Sequence, residues 1–331
     1  MRYIIGLIII LILIALFSLS LGQYELSISQ IIDFFLYKMN IGTVDNALLM
    51  QNIIVEIRFP RIIGSILIGA SLAVSGVAFQ SMFKNPLVSP GILGVLSGAS
   101  FGAALGMILF KKFIFVQAAS LSFGILAVFI ALFISMFNKQ NQLIFLILGG
   151  VISSAFFSSL LSITKYMADP YDELPAIVYW LMGSLTLIDK HTIYVISIPI
   201  LLGIASIIFL SKYLNILSLG DEEARSLGVN VKLMRSIIIL IATLISALTV
   251  VLAGMIGWVG LVIPHIARLL FGSNNIIIVP IAALIGGIYL LIIDDLSRTM
   301  FNIEIPIGIL TSLIGIPFFA YALKNTKKGW G

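Results

Sequence analysis

The sequence predicts an all-α integral membrane protein that crosses the bilayer about ten times as a single domain over residues 1–331. Of its residues, 60% are hydrophobic and only 10% are charged, whereas soluble domains carry about 25% charged residues. Apolar stretches of span length also recur from end to end, as they do in proteins with many transmembrane helices. The strand-length alternation typical of a transmembrane β-barrel is absent from the sequence.

Ten apolar segments are predicted as spans, since a span needs roughly 20 residues. They lie near residues 4–22, 62–82, 92–110, 113–137, 143–163, 192–210, 236–256, 258–271, 276–296 and 306–323. The segment at 258–271 is too short to cross alone unless protein shelters its ends. The first segment is longer than the apolar part of a signal peptide, which is the alternative interpretation. Between the fifth and sixth segments, Pro175 is expected to open a short half-inserted or surface helix.

Placing Arg2 in the cytoplasm predicts the orientation, and ten spans then return the C-terminus to the same side. The distribution of Lys and Arg favours this orientation mildly. Glycines recur every four residues along the third span, at Gly94, Gly98, Gly102 and Gly106. Such a face predicts close helix packing within the subunit, with the lining of a cavity or gate as the alternative.

Several kinds of chemistry are excluded by what the sequence lacks. It has no cysteine, and its two histidines, His191 and His265, lie far apart, so we predict no metal site, no cofactor and no catalytic residue. His265 is expected to be a packing residue. The phosphate-binding pattern G-x-x-x-x-G-K-[ST] is absent, so ATP is not expected to bind to this chain. The net charge of +5 is expected from basic cytoplasmic loops and not from binding of nucleic acid.

The stretch EIRFPRIIG places Arg58 and Arg61 at the outer end of the second span, with Pro60 opening the helix. Two interpretations stay open at this point. The arginines could anchor the helix end by snorkelling, or they could receive carboxylates of an external partner. After the second span, FKNPLVSPGILG must form a tight turn from Asn85 to Gly91, because its prolines interrupt the helix.

The segment 217–231, LSLGDEEARSLGVNV, concentrates charge in an otherwise apolar chain. We predict a short cytoplasmic helix with Asp221 as its N-cap, acidic residues in its first turn and Gly228 as its stop. Asp221 and Arg225 are spaced to pair, and Ala224 and Leu227 are expected to form an apolar face. Because anionic lipid would repel an acidic helix, a cytoplasmic protein partner fits better; the alternative is a solvated loop.

Six motifs in this order resemble the permease family of ATP-binding-cassette importers for iron–siderophores, haem and cobalamin, which are type II importers. They are RFPR (58–61), GASLAVSGVAFQSMFKNPLVSPGILG (69–94), LGDEEARSLGV (219–229), GWVGLVIPHIARLLFG (257–272), DDLSR (294–298) and EIPIGILTSLIGIPFF (304–319). The resemblance covers essentially the whole chain, and ten helices per subunit agrees with the family. Trp258 departs from the family, which more often has a different residue there.

The resemblance implies a dimer of permease subunits in a prokaryotic cytoplasmic membrane, two ATP-binding-cassette ATPase subunits below it, and an external substrate-binding protein. It implies that Arg58, Arg61 and Arg298 receive acidic residues of the binding protein, and that Asn85 and Leu87 belong to a cytoplasmic gate. It also implies that the ATPase docks on a coupling segment formed by Leu219, Gly220, Asp221, Glu222, Glu223, Ala224, Arg225, Leu227 and Gly228.

The expected function is therefore that of a non-enzymatic permease subunit driven by a separate ATPase. The order of expected cargo is ferric siderophore, haem and cobalamin, with an oxyanion such as molybdate as a minor option. The alternative is an ion-coupled secondary transporter. A proton relay is poorly supported, because the spans hold almost no ionisable residue, but a sodium site built from carbonyls and hydroxyls stays open.

Overall fold

The computed structural model describes residues 2–110, 112–138, 142–300 and 303–325, which form helices without any β-strand. The C-terminal residues 326–331, predicted to be cytoplasmic, lie outside the described residues. The helices are α1 (Arg2–Ser18), α2 (Ile28–Lys38), α3 (Ala47–Phe83), α4 (Val95–Leu109), α5 (Phe113–Ser135), α6 (Gln142–Met167), α7 (Glu173–Leu181), α8 (Lys190–Leu219), α9 (Asp221–Ser226), α10 (Val231–Ala253), α11 (Val259–Phe271), α12 (Asn275–Thr299) and α13 (Ile307–Asn325).

The structure places a helix in each of the ten predicted segments. Within the described residues, six helices (α3, α5, α6, α8, α10 and α12) are long and apolar enough to cross a membrane. Four shorter apolar helices (α1, α4, α11 and α13) occupy the remaining predicted segments. The short helix expected at Pro175 is α7, which buries Ile177 and Trp180.

Helix α3 is the centre of the fold, with 89% of its most apolar stretch buried, against 28% for α6. It packs against α8, α10, α11 and α12. The prediction that Pro60 opens this helix is wrong, because the helix begins at Ala47 and is π-helical from Asn52 to Arg58. The wider π-helical turn just before Pro60 accommodates a residue that lacks a backbone N–H and would otherwise break the helix.

Close approach between helix backbones explains two features of the sequence. A Cβ atom added at Gly98 or Gly102 of α4 would lie 2.4 Å from a backbone oxygen of α5, at Phe123 or Ala119 respectively. The face formed by Gly98, Gly102 and Gly106 therefore packs within the subunit, as expected. Gly94 is not on this face, because it precedes the helix with φ +85° and packs against Ser153 of α6. The short helix α11 is sheltered in the same way, since Gly260 contacts the backbone of α3 so closely that a Cβ added at Gly76 would lie 2.1 Å from its oxygen.

Candidate coupling segment, cytoplasmic turn and external arginines

The charged segment folds as the short helix α9, which has a well-formed C-terminal end. Gly228 adopts φ +77°. Its N–H donates to the Arg225 carbonyl at 2.9 Å, and the Val229 N–H donates to the Ala224 carbonyl at 3.0 Å. These are the two hydrogen bonds of a Schellman motif, so the predicted stop at Gly228 is confirmed.

The start of α9 differs from the prediction. Gly220, with φ +139°, occupies the N-cap position, and Asp221 is the first residue of the helix. The Asp221 carboxylate accepts hydrogen bonds from Arg235 of α10 at 2.6 and 3.2 Å, and not from Arg225. The hydrogen bond from Arg235 lowers the pKa of Asp221 below its ordinary value, and the charges of Arg235, Arg225 and Lys84 add to the effect.

The Arg235 side chain is only 10% exposed, so its guanidinium is held in place and donates two hydrogen bonds to the Asp221 carboxylate. Arg225 lies on the exposed helix α9 itself and is not held in this way. The pair attaches the first turn of α9 to α10.

The side of α9 that faces away from the bundle is exposed to solvent. Ala224 is fully buried beneath the helix, whereas Leu227 is 60% exposed, so the two do not share the predicted apolar face. Glu222, Glu223 and Arg225 are exposed as well. Leu219, just before the helix, is also a large exposed apolar residue. The segment therefore presents charges between two apolar side chains.

The predicted coupling segment is joined directly to the turn that follows α3. Lys84 ends α3 with φ +49°, and its Nζ donates to the Leu219 carbonyl at 2.6 Å. The next residue, Asn85, accepts the Leu87 N–H on its side-chain oxygen at 2.9 Å, which tightens the turn. Asn85 and Leu87 are exposed, while Val88 is buried and anchors the turn. The structure thus brings together the predicted coupling segment and the predicted gate residues.

A buried polar cluster beside this turn was not predicted. Arg268 of α11 donates to the side chains of Gln80 and Ser81 in the last turns of α3. Ser81 Oγ in turn donates to Asn275 Oδ1 at 2.8 Å, and the Asn275 N–H donates to Asn215 Oδ1 of α8 at 2.8 Å. Four helices are therefore joined by hydrogen bonds at this end of the bundle. The only feature of the sequence that indicated this cluster is that polar residues stand at the ends of several predicted spans.

At the opposite end of the spans, Arg61 lies between two carboxylates of its own chain. Its Nε donates to Asp294 at 2.8 Å, and its Nη1 donates to Glu304 at 3.0 and 2.9 Å. Asp294 is fully buried and Arg61 is nearly so. The interaction joins α3 to α12 and to the segment before α13.

The other two arginines are also occupied within the chain. Arg298 donates to the carbonyls of Leu21 at 2.9 Å and Ser18 at 3.0 Å, and it pairs with Asp295. Arg58 donates to the carbonyls of Leu19 and Tyr24. Both arginines thereby hold the chain that leaves α1 against the π-helical part of α3 and the end of α12.

Since Arg58, Arg61 and Arg298 are at most 6% exposed, none of them snorkels into water. The three positive charges of these arginines are matched in number by the negative charges of Asp294, Asp295 and Glu304. Their contact with acidic residues of an external partner stays a prediction, and it requires these internal bonds to be exchanged. His265 is buried and packs edge to face against Phe319, consistent with a packing residue.

The arrangement of long apolar helices with one short, exposed and anchored charged helix agrees with comparisons to known proteins. The model of the FecCD transport family matches residues 9–325. The chain belongs to the FecCD transport family. It is 40% identical to the molybdate import system permease protein MolB of Haemophilus influenzae over 98% of this chain and 96% of that protein.

Two further relatives support the assignment to this family. A probable iron chelatin transport system permease protein of Helicobacter pylori is 38% identical over 94% of this chain and 92% of that protein. A solved structure described as an inward-facing conformation of a metal-chelate type ABC transporter is 36% identical and aligns with a TM-score of 0.88 over 98% of this chain and 99% of that chain. The chain is therefore a multi-pass permease subunit of an ABC importer.

Proposed function

We propose that this chain works as one of two permease subunits in a prokaryotic cytoplasmic membrane, where two separate ATPase subunits drive it from below. The observation that carries the proposal is α9, a charged helix that is anchored on one side and open on the other. Arg235 attaches its first residue to α10, Lys84 donates to the Leu219 carbonyl just before it, and the Schellman motif ends it. Glu222, Arg225 and the flanking leucines are left exposed for a cytoplasmic partner.

The same contacts supply a route for movement. When ATP closes the ATPase dimer, the surface under α9 shifts, and α9 shifts with it. Lys84 passes this displacement to Asn85 and the turn after α3 through a single hydrogen bond of 2.6 Å. Asn85 and Leu87 then change their position at the cytoplasmic end of the pathway. Such coupling requires only that the two states differ in the contacts they make.

The cargo we propose is an iron chelate, with a ferric siderophore ahead of haem and cobalamin. Relatives named for iron chelatin transport and for metal chelates support this choice. A large cargo also suits a path with few fixed charges. The second candidate is molybdate, which the 40% identity to a molybdate permease favours. Uptake of radiolabelled iron chelate and of radiolabelled molybdate by the reconstituted transporter separates the two candidates, because only the true cargo is expected to accumulate when ATP is supplied.

An external binding protein is proposed to deliver the cargo. Arg58, Arg61 and Arg298 would serve its docking either through direct contact or by holding the external surface in shape. Measuring binding-protein affinity and thermal stability on the same Arg58→Gln and Arg298→Gln variants distinguishes these roles. Both variants lose internal bonds of a buried arginine, so thermal stability falls in either case. Direct contact predicts wild-type docking that weakens as the salt concentration rises and a loss of docking in the variants beyond their loss of stability, whereas a shaping role predicts that docking and stability fall together.

Reconstitution into liposomes tests the central proposal. We expect no transport by this chain alone under any ion gradient, and transport once the ATPase, the binding protein and ATP are added. Cargo uptake by the lone chain that follows a sodium or proton gradient would establish the alternative, an ion-coupled secondary transporter.

A further inference from the structure

Helix α2, between α1 and α3, carries three distinct stripes along its length. Successive residues of an α-helix are rotated by about 100°, so positions can be assigned to faces directly. Ile31 and Phe34 form a buried stripe against the protein. Ser29, Gln30 and Asp33 lie on an exposed polar stripe. Between these two stripes lies an apolar stripe formed by Ile28, Ile32, Phe35 and Leu36.

The apolar stripe is exposed although its residues are large. Ile32 is 53% exposed and Phe35 is 46% exposed. A helix on the surface of a soluble domain exposes polar residues on both sides of its buried stripe. Here one side of the buried stripe is bordered by more apolar side chains and the other by polar ones. The helix therefore faces three surroundings: protein, an apolar medium and water.

The depth of α2 indicates which apolar medium this is. Its buried residues belong to the same hydrophobic cluster as Ile62 of α3 and Leu291 of α12. Leu291 lies seven residues before Arg298, which corresponds to about 10 Å along the helix toward the membrane interior. Leu11 and Ile14 of α1 pack on the cluster from within the first span. Helix α2 thus lies at the level where the spans leave the bilayer.

Helix α1, which packs on the same hydrophobic cluster as α2, also exposes large apolar side chains. At the outer end of α1, Leu13, Leu16 and Phe17 are each more than half exposed. The charges of Asp33 and Lys38 cancel on α2, so the helix offers no net charge that would select a charged protein partner. A capping box between Ser27 and Gln30 fixes the start of the helix independently of any partner.

We propose that α2 is an interfacial helix that lies in the outer leaflet, with Ile28, Ile32, Phe35 and Leu36 buried among phospholipid acyl chains just below the head groups. Its polar stripe faces the external water, and its buried stripe holds it to α1 and α3. The ligand is phospholipid without head-group selectivity. The helix braces the chain from Ser18 to Ala47, whose carbonyls at Leu19 and Tyr24 receive Arg58. The proposal depends on membrane embedding and not on the identity of the cargo or on the ATPase.

The chain contains no cysteine, so a single cysteine introduced into the full chain is the only residue that a thiol-reactive spin label modifies. Single variants Ile32→Cys and Phe35→Cys place a nitroxide on the apolar stripe, and Asp33→Cys places one on the neighbouring polar stripe as a matched control. The labelled proteins are reconstituted into vesicles of phosphatidylcholine and phosphatidylglycerol. Collision rates are then measured with oxygen, which concentrates in the bilayer, and with a water-soluble nickel chelate.

We expect the ratio of oxygen to nickel accessibility to be several-fold higher at Ile32 and Phe35 than at Asp33. Equal nickel accessibility at all three positions would place α2 in water and overturn the proposal. Protection of Ile32 and Phe35 from both reagents would show that protein covers the stripe, either a second copy of the chain or an external protein, and would also overturn it. A broadened, motionally restricted nitroxide spectrum at Asp33 in the same preparation reports that the helix is folded.

Discussion

Replacing Asp294 by Asn is expected to destabilise the subunit strongly, because it removes one charge from a buried, balanced cluster. The Asp294 carboxylate is fully buried, accepts Arg61 Nε at 2.8 and 3.1 Å, and lies 3.7 Å from Arg298 Nε. Removing one member of a buried ion pair typically costs 3–5 kcal/mol, since the other charge stays buried without compensation. Asn keeps the shape and one acceptor, and Arg61 keeps Glu304, so we expect a loss of about 3 kcal/mol.

The assay is thermal unfolding of the purified subunit in detergent, applied to Asp294→Asn, Arg61→Gln and the double variant. The double variant should lose much less than the sum of the two single losses, because both changes remove the same interaction. The ion pair of Lys190 with Glu56 at 3.1 Å is the matched control, as its side chains are 38% and 45% exposed. Lys190→Gln should cost at most about 1 kcal/mol. If Asp294→Asn melted like Lys190→Gln, the reasoning on this cluster would be refuted.

Three further predictions concern the coupling contacts and the packing of the bundle. Lys84→Met removes the bond to Leu219 and should lower the cargo transported per ATP hydrolysed several-fold, measured in proteoliposomes; an unchanged ratio would exclude this link. The pKa of Asp221 is lowered below 3.8 by the hydrogen bond from Arg235, and the charges of Arg235, Arg225 and Lys84 add to the effect. The ion pair of Asp221 with Arg235 is therefore fully formed above pH 3.8 and is lost only as the pH falls through the lowered pKa. Hydrogen exchange in α9 should show no loss of protection between pH 8 and 5 beyond the intrinsic pH dependence of exchange. Gly98→Ala places a Cβ 2.4 Å from the Phe123 carbonyl and should cost about 1–3 kcal/mol in thermal unfolding, whereas Gly6→Ala, with no atom within 4 Å, should cost nothing.

The spans could be predicted because each is a local property of the sequence. An apolar segment of sufficient length must satisfy its own backbone in lipid, so α8 or α12 is evident from composition alone. The end of α9 was predictable for the same reason, since Gly228 needs only its own backbone conformation to stop a helix. Helix α2 was missed because only part of its surface faces an apolar medium, which leaves its mean composition below that of a span.

The partners of the charged residues could not be predicted from spacing along the chain. Asp221 pairs with Arg235, 14 positions away on another helix, and not with Arg225 at helical spacing. Arg61 meets Asp294 and Glu304 across separations of 233 and 243 residues. Such pairs are set by tertiary packing, which decides which arginines reach water and which are buried with a carboxylate. The hydrogen bond from Lys84 to the Leu219 carbonyl, 135 positions away, could not be predicted for the same reason.

Charge reversal on the exposed side of α9 tests the coupling account most directly. Glu222→Arg combined with Arg225→Glu changes only side chains that point away from the bundle, and the exchange of Glu56 and Lys190 on the external face is the matched control. The measurement is ATP hydrolysis by the reconstituted transporter, stimulated by the cargo-loaded binding protein. The account predicts that the α9 variant inserts normally and loses this stimulation, while the control keeps it. Undiminished stimulation in the α9 variant would contradict the assignment of this helix as the site where the ATPase moves the permease.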